Sequence, residues 1–180
     1  MKNAKRICFI TAFTFLGFSG SVFSACGNPD ECFAAGLQSM DSGKFDKAVT
    51  FFEQASKLKP ENTYYRYALA VSLGANGDYQ GAVKGLKEVV KEQPDFQLAW
   101  NYLRFFWIRS GDFAGADKFF AESSKKHSKN PEIYLNRSYI LFETGDYHNA
   151  RLNAEKAADL RENYAEAYFL LGNIHRKTSD

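Results

Sequence analysis

The sequence predicts an all-α fold, an α-solenoid of helix-turn-helix units followed by a C-terminal capping helix. Three observations predict it. Gly43-Lys44-Phe45, Gly77-Asp78-Tyr79, Gly111-Asp112-Phe113 and Gly145-Asp146-Tyr147 recur at a constant step of 34 residues. An alanine stands five residues after each of these glycines, at Ala48, Ala82, Ala116 and Ala150. Apolar columns at helical spacing flank every glycine on both sides. A unit repeated at fixed period cannot bury its apolar face alone, so successive units must stack.

The second helix of each unit carries that alanine, then Phe52, Leu86, Phe120 and Ala154, then Ala55, Val89, Ser123 and Ala157. The 4-then-3 spacing lines one face of a helix. The first helix is marked eleven, eight and four residues before the glycine: Cys32, Arg66, Trp100, Tyr134; Ala35, Leu69, Leu103, Arg137; Ser39, Leu73, Trp107, Leu141. Between the two helices, glycine supplies the left-handed residue that ends the first, and the following aromatic drops between them. Pro60 and Pro94 stand where second helices must stop, while Pro29 and Pro131 suit the first turn of a helix. Seven residues before the glycine, Gly36, Ala70 and Ser138 are small but Arg104 is not. Arg104 is expected to loosen its helix pair or to snorkel to an edge, and Arg137 to need a carboxylate or carbonyl partner. The third and fourth units should therefore be the least regular.

The pattern over residues 29–178 resembles the tetratricopeptide repeat family, whose helix-turn-helix unit has the same period and small residues where paired helices touch. The resemblance implies a right-handed superhelix with units at about 29–62, 63–96, 97–130 and 131–164 and a cap helix over 165–178, in a domain spanning 26–180. Tyr168, Leu171 and Gly172 repeat the first-helix columns, and the ending His175-Arg176-Lys177-Thr178-Ser179-Asp180 reads as a polar cap. In this family a second face of the first helices looks into a concave groove. Here it would carry Phe33, Leu37, Tyr64, Tyr67, Val71, Asn101, Phe105, Ile108, Leu135, Tyr139, Phe142, Phe169 and Asn173. An aromatic lining suits an amphipathic or aromatic peptide, because rings bury large area at small entropic cost. The competing reading packs the same side chains between adjacent first helices. Tyr134-Leu135-Asn136-Arg137-Ser138 resembles the second unit of repeats that clamp a C-terminal carboxylate, but Glu166 and Leu170 stand where that clamp needs cations. Capture of an acidic C-terminus is not expected.

Residues 1–25 read as a signal peptide: Lys2, Lys5 and Arg6, an apolar run from Ile7 to Phe18, then small residues. Phe23-Ser24-Ala25-Cys26 resembles a lipobox, in which Cys26 would carry a lipid and anchor the chain to a membrane. The alternative pairs Cys26 with Cys32 as a disulfide in an oxidising compartment. Both readings place the mature protein outside the cytoplasm, in the bacterial periplasm. Loss of the leader leaves 20 basic against 21 acidic side chains, a charge near −1 without a basic stripe, which argues against a nucleic-acid partner.

Nothing in the sequence points to an enzyme, a cofactor or a metal site. His127, His148 and His175 are scattered over different units, and the recurring glycines follow helices rather than strands. The expected function is a protein-protein interaction scaffold in the cell envelope, assisting assembly of a pilus, secretion or cell-wall complex. The alternative is a structural protein that self-associates and has no separate client.

Overall fold

All four recurring glycines adopt the left-handed region, with φ of +68° at Gly43, +94° at Gly77, +75° at Gly111 and +81° at Gly145. This is seen in a computed structural model of the chain, which describes residues 26–179. The signal-peptide reading of residues 1–25 lies outside the described residues. Glycine takes this conformation without the Cβ clash that strains other residues, so each turn is set by one residue. The turns separate α1 (Pro29–Asp41) from α2 (Phe45–Leu58), α3 (Thr63–Ala75) from α4 (Tyr79–Glu92), α5 (Gln97–Ser110) from α6 (Phe113–Lys126), and α7 (Pro131–Glu143) from α8 (Tyr147–Leu160). A final helix, α9 (Ala165–Thr178), follows. No helix among the described residues is long and apolar enough to cross a membrane.

Helix starts are chemically specified. Asn28, Asn62 and Asn130 cap α1, α3 and α7 by accepting backbone N–H groups, and Asp78, Asp112 and Asp146 do the same for α4, α6 and α8. Such caps satisfy N–H groups left without intrahelical partners. At α2 the equivalent residue is Lys44, whose side chain makes no capping bond and brings positive charge to the positive end of the helix dipole. Lys44→Asp is expected to stabilise the protein by about 1 kcal/mol, read as a raised midpoint in urea unfolding.

The paired helices touch at the small residues. A Cβ built on Gly36 would lie 2.5 Å from the Phe52 ring, and one on Gly85 would lie 2.9 Å from Ala70 Cβ. Ser138 is fully buried and donates its Oγ hydrogen to the Ala150 carbonyl at 2.6 Å. The third pair departs from this. α5 and α6 touch far less than the other pairs. Large rings stand between them: Trp100 and Trp107 of α5 each lie 5.2–6.1 Å from Phe119 and Phe120 of α6. The fourth pair, expected to be irregular, packs as closely as the first two, because Arg137 leaves the helix interface to donate to Asp117 on α6 at 2.8 Å.

The core runs between pairs as well as within them. Its largest cluster, from Ala70 through Trp100, Phe106 and Phe120 to Ile140, joins units two to four, and a second, from Leu135 to Ile174, joins α7, α8 and α9. At the other end Cys26 and Cys32 form a disulfide, their Cα atoms 5.3 Å apart, tying the N-terminal arm to α1. That bond uses the Cys26 sulfur that a lipid would need, so the two readings of Cys26 exclude one another. α9 ends the solenoid with an exposed polar last turn, His175-Arg176-Lys177, but it also bares Tyr168 and Phe169, 55% and 66% exposed, since no second helix covers them among the described residues.

Candidate functional site

First helices α1, α3, α5, α7 and α9 each present one face that their own second helix does not cover, and the structure divides the predicted groove residues along them into three groups. Leu37, Tyr64, Phe105 and Phe169 are exposed, Phe105 by half. Phe33, Tyr67, Val71, Asn101, Ile108, Tyr139, Phe142 and Asn173 are half-buried. Leu135 is fully buried in the α7–α9 core and is corrected: it is a packing residue closed to any partner. Several half-buried rings pack on neighbouring elements. Phe33 stacks on Tyr65 with centroids 4.9 Å apart, and Tyr67 lies 4.8 Å from Phe96 in the loop before α5. Phe142 meets Tyr147 at 5.5 Å. For these, packing accounts for much of the aromatic content.

What remains open is an apolar cavity of about 420 Å³ across the first three units. Its lining includes Met40, Val71, Tyr79, Tyr102, Phe105 and Phe106. Val71 and Phe105 belong to the predicted face, whereas Tyr102 and Phe106 were not singled out. Tyr102 occupies a column filled by Ala34, Ala68 and Asn136 in the other units, so periodicity gave no aromatic signal there. Phe106 covers Gly74 of the preceding unit, a pairing that exists only across two units. Tyr79, Tyr102 and Phe105 all lie 5.2–6.2 Å from the Phe106 ring, which is 2% exposed. The Phe106 ring thus forms a rigid floor and Phe105 a projecting wall.

Beyond that cavity the same face turns polar. Asn136 donates to Asn101 Oδ1 at 3.2 Å and to the Glu132 carbonyl at 2.7 Å. Arg104, expected to loosen its pair or reach an edge, belongs to the loosest pair; its guanidinium carbon lies 3.9 Å from the Tyr139 ring centroid and its Nη1 3.5 Å from Glu166 Oε1, linking α5, α7 and α9. Burial pushes the Tyr139 phenol above its ordinary pKa, and the Glu166 charge adds to this. A ligand carboxylate approaching Arg104 would have to displace Glu166. No group of three or more His, Cys, Asp or Glu side chains that could hold a metal ion occurs among the described residues.

Tetratricopeptide repeat models match residues 39–104 and 131–164. The chain belongs to the tetratricopeptide repeat family. Among curated relatives it is 30% identical over 98 residues to the TPR repeat-containing thioredoxin TTL4 of Arabidopsis thaliana, and 26% identical over 110 residues to protein FlbA of Caulobacter vibrioides. Those matches cover 54% and 61% of this chain but only 13% and 18% of the relatives, so the chain spans a small part of their length. Solved structures match most of the chain. TTC0263, a thermophilic TPR protein of Thermus thermophilus, gives a TM-score of 0.59 at 19% identity, covering 83% of this chain and 82% of its own. MamA from Desulfovibrio magneticus gives 0.60 at 15%, covering 87% and 89%. YrrB, described as a TPR protein with an unusual peptide-binding site, gives 0.56 at 18%, covering 78% and 73%. At these identities the likeness is one of fold, and the family is one of protein-protein interaction scaffolds.

Proposed function

We propose that the protein is a non-catalytic scaffold of the bacterial cell envelope that holds an amphipathic peptide or helix along its concave face. The observation that carries this reading is the cavity at Phe105. A half-exposed phenylalanine beside a fixed aromatic floor offers a seat for one large apolar anchor, and such anchors dominate peptide recognition. Beside it the half-buried Asn101 offers a polar group for the backbone or a polar side chain of the same ligand. The leader-like residues 1–25 and the Cys26–Cys32 bond support export to an oxidising compartment, where the partner would belong to an envelope assembly such as a pilus, secretion or cell-wall complex. The peptide-binding description of YrrB supports the ligand class.

Peptides selected from a random display library on the purified protein are expected to bind Phe105→Ala about tenfold more weakly or worse, with helicity unchanged. Lys84→Ala, an exposed change on α4, should leave binding as it was. Equal affinity for Phe105→Ala and the unaltered protein would remove the cavity from the account.

A further inference from the structure

The open face of α9 carries a chemistry that fits a second copy of itself. In the other units the column of Tyr168 faces the unit's second helix, whereas α9 packs on α8 and, more lightly, on α7, with Glu166 reaching Arg104 of α5, and no further helix covers it among the described residues. Phe169, at 66%, is the most exposed of the large apolar side chains described, and Tyr168 beside it is 55% exposed. A Cβ built on Gly172 would meet nothing within 4 Å. The helix is also divided along its length. Tyr168 and Phe169 occupy its first half, and His175, Arg176 and Lys177 its last turn.

We propose that α9 pairs antiparallel with α9 of a second copy about a two-fold axis at Gly172, forming a closed dimer through the C-terminal end of the solenoid. Residue numbers that face each other about that axis place Tyr168 opposite Arg176 and Phe169 opposite His175. Tyr168 then meets the Arg176 guanidinium and Phe169 the His175 ring of the other copy, twice over by symmetry. Glycine at the axis lets the two backbones approach closely, and antiparallel helix dipoles attract. The chain already uses this contact internally: Arg104 on Tyr139, Arg109 on Tyr79 and Arg161 on Tyr164 place guanidinium carbons 3.9–5.5 Å from ring centroids. Arg176 holds an exposed bond to Asn173, which contact with a partner ring can replace. The opposite end of the solenoid does not offer the same partner. Glu31, Ala34 and Gln38, at the α1 positions equivalent to buried Tyr65, Ala68 and Ser72 of α3, are exposed and largely polar. Head-to-tail stacking would bury that polar face against the α9 aromatics, so the closed pairing is preferred.

The pocket at Phe105 lies on α1–α5 and is not used, so failure of this pairing and failure of the groove are separable. In sedimentation of the purified protein, a concentration-dependent monomer–dimer equilibrium is expected. Tyr168→Lys and Arg176→Glu should each shift it to monomer. The double variant should dimerise again, because the introduced lysine meets the introduced glutamate of the other copy. Under mild oxidation Gly172→Cys should cross-link into dimers about tenfold faster than Leu152→Cys, an exposed position on α8. A monomer at every concentration overturns the proposal. So does a dimer indifferent to Tyr168→Lys, a double variant that stays monomeric, or cross-linking at Gly172→Cys no faster than at the control.

Discussion

Gly74→Leu is expected to destabilise the protein by about 3 kcal/mol, among the largest losses any single surface-remote change should cause here. Even the first side-chain atom is too much, because a Cβ at Gly74 would lie 2.2 Å from the Phe106 ring. That ring is 2% exposed and hemmed in by Tyr79, Tyr102 and Phe105, so it has nowhere to swing. The strain falls between units two and three, and stacked repeats depend on their neighbours. Urea unfolding should therefore lose its single steep transition, with units one and two separating from the rest. Adding Phe106→Ala should recover part of the loss. If Gly74→Leu unfolds at the same urea concentration as the unaltered chain, the close approach of α3 and α5 is not as described.

Arg161→Met should cost a similar amount, about 3 kcal/mol, through charge rather than volume. Glu132 is 2% exposed, and its Oε1 lies 2.6 Å from Arg161 Nη1. The arginine also covers the Tyr164 ring at 4.3 Å. Removing the guanidinium strands a buried carboxylate, whereas removing both charges does not. Arg161→Met combined with Glu132→Gln should thus be more stable than Arg161→Met alone, by at least about 1 kcal/mol. A double variant no better than the single would show that Arg161 matters for its packing on Tyr164 and not for the pair.

Much of the architecture was legible because it is written in repeated columns. The glycine turns recur four times, the small residues Gly36, Ala70 and Ser138 three times and each proline position twice, so one physical reason explains several places. Arg137 was legible for a different reason: a cation at a packing position demands a partner, and Asp117 supplies it to the half-buried side chain. What the columns hid was departure from repetition. The wedge of Trp100, Trp107, Phe119 and Phe120 opens the third pair, yet each residue alone looks like an ordinary core position. The cavity at Phe105 depends on Tyr102 and on Phe106 covering Gly74, which belong to different units and share no column. Leu135 fell into a groove column by spacing, although α7 turns that position into the core against α8 and α9. The choice at Cys26 could not be read from spacing either, since a lipobox and a short disulfide loop ask for the same residue; the fold brings Cys32 alongside Cys26.

The central claim is that the concave face around Phe105 holds a separate protein. The most direct test is site-specific photo-crosslinking in living cells, with the probe at Phe105 and a control probe at exposed Lys84 on α4. The account predicts one or a few discrete adducts with another envelope protein from the Phe105 probe and none of them from Lys84. No adduct from Phe105, or the same adducts from both positions, would contradict it.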